Sequence, residues 1–133
     1  MVEIYNSTKI LVNESRLRKV AEFVLEQEGK KEEHISVALI GEAEMKRINK
    51  AYRGKEYAAN VLSFPGVDGL GEVLLCPRVI SKDAKKYGIL PELELVSMLV
   101  HGLLHLLGYD HEQGEVGADI MKEKENHYLS FFA

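Results

Sequence analysis

The stretch HGLLHLLGYDH, residues 101–111, sets three histidines into an otherwise leucine-rich run. On a helix, residues four apart lie on one face, about 6 Å apart along the axis, so His101 and His105 project side by side. Gly108 follows three residues later, where the helix should stop. Glycine reaches left-handed backbone angles without a Cβ clash and can turn the chain sharply. Such a turn brings His111 back towards the other two. Three converging imidazoles make an open zinc-type site, with a fourth position left for water. Five histidines in the chain would produce this triple spacing by chance roughly 0.003 times, a low false-positive risk for a short motif. Two unpartnered imidazoles among leucines would also be costly to bury, and a metal supplies the partners.

The helix that carries the motif opens at Pro91, with Glu92 and Glu94 suited to its positive end. Leu93, Val96, Leu99, Val100, Leu103, Leu104, Leu106 and Leu107 wrap most of its circumference, so it is expected to be central and buried on most sides. Before it, Asn13 caps a helix over about 14–28 that Gly29 ends, with Leu17, Val20, Ala21, Val24 and Leu25 on one face. HISVALI, 34–40, reads as a buried strand. A helix over 42–53 is expected to bury Met45, Ile48 and Tyr52. NVLSFP, 60–65, and EVLLC, 72–76, read as strands joined by a loop too long for a tight turn. Pro77 starts a helix ended by Gly88, with Ile80, Ala84 and Tyr87 inward. Residues 2–5 and 8–12 are both strand-like, with one strand expected there. A last helix covers about 115–129. Helices and strands mix without strict alternation, so the class is α+β: a small mixed β-sheet packed with about five helices.

The 133 residues suit one domain with one core, and a hydrophobic share of 46% against 29% charged is ordinary for a soluble globular chain. The N-terminus carries an early Glu3 and no long apolar run, which does not read as a signal peptide. Leu95 to Leu107 is too short for a membrane span. The single cysteine, Cys76, excludes an internal disulfide framework and makes a reducing, cytoplasmic setting the expectation. A net charge of −4 argues against nucleic-acid binding by an overall basic surface, though not against a local basic patch.

The site reads as catalytic rather than structural, because structural zinc sites are usually closed by four protein ligands. Cys76 and Asp110 are further candidate ligands. Cys76 reads better as a buried strand residue, and Asp110 as a turn or hydrogen-bonding residue beside His111. His34 and His127 read as surface residues. The zinc-protease motif H-E-x-x-H places a general-base Glu directly after the first ligand, and here Gly102 fills that slot. The longer spacing, with its glycine and third histidine, is otherwise protease-like. Without that base, activation of water and protonation of a leaving amine lack their agent, which points to another substrate.

Taken with YRGK at 52–55, NVLSFP at 60–65 and the Gly71–Glu72 strand start, HGLLHLLGYDH resembles the YbeY family. These are bacterial metal-dependent endoribonucleases of ribosomal RNA maturation and ribosome quality control. The resemblance runs from the second helix to Met121 and Glu125. It implies zinc on His101, His105 and His111, a functional arginine at Arg53, and a mixed sheet around a central ligand helix. Two positions depart from the family pattern: Ala59 stands where Thr is frequent, and Glu72 where Asp follows the glycine.

The activity that the resemblance implies is single-strand-specific RNA cleavage in maturation of the small-subunit rRNA 3′ end, with rRNA and the small ribosomal subunit as partners. Zinc can lower the pKa of its water to about 7 and polarise a phosphoryl oxygen. Arg53 can clamp the non-bridging oxygens with two parallel hydrogen bonds. As a residue at a helix end, it also suits simple solvation there. Lys46, Lys50 and Arg53 form one stripe with Lys55 just beyond, and Lys55 is the expected substrate-binding cation. Arg78, Lys82, Lys85 and Lys86 form a second basic face. Both are either solvated faces or tracks for an RNA backbone. Two other readings remain: a metal-dependent peptidase-like hydrolase, and a non-enzymatic ribosome-assembly factor whose metal only holds the fold.

Overall fold

The computed structural model describes residues 1–110 and 114–132. The order of elements is β1 (Val2–Asn6), α1 (Glu14–Gln27), β2 (Ile35–Leu39), α2 (Glu42–Arg53), β3 (Val61–Pro65), β4 (Gly71–Leu75), α3 (Pro77–Tyr87), α4 (Pro91–Leu106) and α5 (Gly114–Leu129). The expected α+β class with five helices and a mixed sheet is what forms. The strands lie in the order β1-β2-β4-β3. β1, β2 and β4 run parallel, while β3 is antiparallel to β4 and closes one edge.

Strand alternation sends successive side chains to opposite faces. Val2, Ile35, Val37, Leu39, Val73 and Leu75 join one large core with α1, α3, α4 and α5. Leu62, Phe64, Leu74 and Cys76 point the other way and pack with Met45 and Ile48 of α2. α4 lies at the centre, against α1, α3, α5, β3 and β4. Its buried residues run round most of the helix, from Leu95 and Val96 to Leu103 and Leu104. Asn13 caps α1 through its side chain, which accepts from the Arg16 N–H.

The one strand expected within residues 2–12 forms at Val2–Asn6 and stops there, while two burial expectations are corrected. The Asn6 side chain accepts from Thr8 N–H and donates to the Ile10 carbonyl, so it bends the chain there. Tyr52 is 57% exposed and Tyr87 65% exposed, although both were expected inward. Each stands in the last turn of its helix. Tyr52 instead meets the ring of Phe64, 4.4 Å between centroids.

Candidate metal centre

α4 does what its spacing predicts. His101 and His105 lie on one face, half-buried, with ring centroids 4.7 Å apart and planes at 75°. The helix then stops at Gly108, whose φ is +100°. Gly108 N–H donates to the His105 carbonyl and Tyr109 N–H to the Leu104 carbonyl. That pair of bonds is the Schellman stop, and it requires the left-handed glycine. The turn carries Tyr109 and Asp110 off the helix axis. His111, the third expected ligand, lies outside the described residues.

Two carboxylates hold this corner. Glu125 of α5 sits 2.9 Å from Nδ1 of His101, with side-chain exposures of 16% and 24%. An ionised carboxylate only accepts, so Nδ1 is the donor. The neutral ring then carries its lone pair on Nε2, the nitrogen a metal takes. Glu28, just past α1, accepts from the Tyr109 hydroxyl at 2.7 Å, from Lys124 at 3.2 Å, and from the Tyr128 hydroxyl. Burial works to raise the Glu28 carboxyl, but the hydrogen bonds from Tyr128, Tyr109 and Lys124 outweigh it and hold it below the ordinary range. The residue after Gly108 is thus fastened to α1 and α5. Burial and the Glu28 carboxylate together push the Tyr128 hydroxyl well above its usual value.

Gly102 is buried against the sheet. A Cβ there would stand 2.7 Å from Val73 Cγ1, 3.1 Å from Val61 Cγ2 and 3.2 Å from Ser63 Oγ. The Ser63 hydroxyl donates to the Gly102 carbonyl at 3.0 Å. The position after His101 therefore faces β3 and β4, and the missing side chain is what lets α4 press onto them.

The histidines open on a cleft of about 570 Å³. α4 and the turn after it contribute His101, His105, Leu106 and Asp110; β3 and the residue before it contribute Asn60 to Ser63 and Pro65; the end of α2 contributes Tyr52 and Arg53. Arg53 is exposed and is the last residue of its helix. Lys55 is exposed two residues on, outside the cleft lining, its N–H reaching the Asn49 carbonyl at 3.4 Å. Asn49 is fully buried and donates to the Tyr57 carbonyl, so it ties the loop carrying Lys55 to α2. Lys50 pairs with Glu56, while Arg78 and Lys82 both reach Glu42. Of the expected basic stripe, only Arg53 lines the cleft.

Cys76 is buried on the α2 side of the sheet, away from the histidines, and burial pushes its thiol up. It is packing rather than a ligand. Asp110 and Asn60 do reach the cleft, whereas Glu72 lies on the opposite side of β4. His34 is exposed and pairs with Glu3. Among the described residues no three His, Cys, Asp or Glu side chains gather as a metal set. The two α4 imidazoles, one oriented by a carboxylate, fit the donor chemistry of zinc. Sequence reasoning missed the roles of Glu125 and Glu28. The available signal was position: Met121, Glu125 and Tyr128 recur at helical spacing, which puts the acid on the buried side of α5.

A family model described as endoribonuclease YbeY matches residues 3–133. The endoribonuclease YbeY of Bdellovibrio bacteriovorus is 40% identical over 112 residues, spanning 83% of this chain and 71% of that protein. That of Thermotoga maritima is 35% identical over 118 residues, spanning 87% and 77%. The solution structure of a Thermotoga maritima protein matches with a TM-score of 0.74 and 32% identity, over 97% of this chain and 87% of that one.

Proposed function

This chain belongs to the endoribonuclease YbeY family, and from that premise we propose that it is a zinc-dependent endoribonuclease specific for single-stranded RNA. Its proposed substrate is ribosomal RNA, at the 3′ end of the small-subunit species, with a part in ribosome quality control. The proposed partners are rRNA and the small ribosomal subunit, and the proposed setting is the cytoplasm. The observation that carries the reading is the meeting of His101, His105 and Arg53 on one open cleft.

His101 and His105, with His111 as third ligand, are the residues to hold the ion. When bound, zinc supplies Lewis-acid activation of water and of phosphoryl oxygens. Glu125 keeps His101 in the tautomer and orientation that ligation needs. Arg53 binds the non-bridging oxygens of the scissile phosphate and offsets the charge that gathers there. Lys55 extends that cationic surface along the RNA backbone. The peptidase reading is disfavoured by Gly102, which is turned into the sheet and puts no glutamate in the slot directly after His101.

The test is cleavage of a single-stranded RNA by metal-loaded protein, with His111→Ala and Arg53→Ala as controls. Both variants are expected to lose most activity. Cleavage by both at the wild-type rate would assign the activity to a contaminating nuclease.

A further inference from the structure

β3 is the terminal strand of the sheet, and its outer edge forms a wall of the cleft. In an antiparallel pair, residues alternate between those that exchange backbone hydrogen bonds with the partner and those whose N–H and C=O point away. The register fixes which are which. Cys76 N–H donates to the Asn60 carbonyl, and Gly66 N–H to the Leu70 carbonyl. With Val61 opposite Leu75 and Pro65 opposite Gly71, the even-numbered residues of β3 bond to β4. Val61 and Ser63 therefore present both N–H and C=O outward. Pro65, which has no N–H, falls in an outward slot, where the ladder loses nothing.

An edge of this kind is an adhesive surface, and its chemistry narrows the occupant. A polyphosphate backbone would meet carbonyl oxygens as well as amides. The Watson–Crick edge of an unpaired base carries a donor beside an acceptor, which complements an outward N–H beside a C=O. Tyr52 lines the same cleft, more than half exposed, its ring set against Phe64 of β3. It offers a face on which such a base stacks. Arg53, the next residue, serves the phosphate.

We propose that the outward backbone groups of Val61 and Ser63 read the Watson–Crick edge of one unpaired base stacked on Tyr52, and that this contact excludes duplex RNA. The inference rests on the ribonuclease reading above. A base already paired has its Watson–Crick edge occupied, so selection for single strands follows without any sequence-specific side chain.

The experiment uses metal-loaded wild-type protein and single-stranded RNAs carrying one N1-methyladenosine at successive positions around the cut. The methyl group blocks the Watson–Crick edge and leaves the backbone and stacking face in place. At one position cleavage is expected to slow at least tenfold. Ser63→Ala, which keeps the amide, retains that penalty; Ser63→Pro, which removes the outward N–H, loses it. Tyr52→Ala is expected to lower kcat/KM roughly 5- to 150-fold, as loss of one base stack would, with recovery in Tyr52→Phe. Equal cleavage of every methylated RNA by the wild type overturns the inference while leaving the ribonuclease reading intact. Competitive inhibition by an extended peptide, with no effect of methylation, overturns it in favour of a peptide strand on the edge. Failure of the wild type to cut unmodified RNA overturns the ribonuclease reading, and this inference with it.

Discussion

At Gly102 the absence of one carbon serves packing as well as chemistry. Its neighbour Val73 is β-branched and stiff, and stands 2.7 Å from where a Cβ would go. Gly102→Ala gains about 1 kcal/mol of helix propensity, but forcing a methyl into a filled site costs about 1–3 kcal/mol. A net loss of stability is expected in a urea melt, and Gly102→Glu is expected to lose more and to gain no peptidase activity. A stable, proteolytic Gly102→Glu would contradict this placement. Glu125 is the other residue whose role is specific. Glu125→Gln is expected to weaken zinc binding about 10- to 100-fold, measured by competition with a chromophoric chelator, while the fold stays intact. At Arg53, replacement by Lys keeps the charge and loses the two-pronged bond. A fall of roughly 10- to 150-fold in kcat/KM is expected, matching one lost charge-assisted bond of about 1.5–3 kcal/mol. Full activity in Arg53→Lys would reduce Arg53 to a point charge.

Among the elements, the turn after α4 depends on a partner far off in the chain. Glu28 at the end of α1 gathers Tyr109, Lys124 and Tyr128. Its carboxyl is held below the ordinary range in the folded chain. The stability it contributes is therefore whole at neutral pH, above the unfolded carboxylate value. It is lost as pH falls through that range to the lowered one. Glu28→Gln is expected to cost about 1–3 kcal/mol at pH 7, with the gap to wild type closing in acid. Denaturant melts at several pH values check this, and a gap that does not change with pH would contradict it. This tie was hidden in the sequence because 81 residues separate Glu28 from Tyr109, and no local period links them. The helix α4 itself was legible, since a helical period, Pro91 at its start and Gly108 at its end all agree. Tyr52 and Tyr87 misled because periodicity marks a face but not where along the helix that face is covered.

For the molecule as a whole, the strand order β1-β2-β4-β3 is what opens a cleft beside the histidines of α4. It places the antiparallel strand β3 at an edge, beside α4, with the end of α2 across from it. That order could not be read from the chain, because the pairing of β2 with β4 rather than with β3, the next strand in sequence, depends on which apolar faces meet. The central claim is that one zinc ion on the α4 histidines drives cleavage of single-stranded RNA. The direct measurement is the initial rate of RNA cleavage as zinc is titrated into metal-free protein. The rate is expected to rise in proportion to bound zinc, to saturate at about one ion per chain, and to stay near zero in His105→Ala at every zinc level. A rate independent of zinc, or a His105→Ala protein that cuts as fast as wild type, would contradict the account.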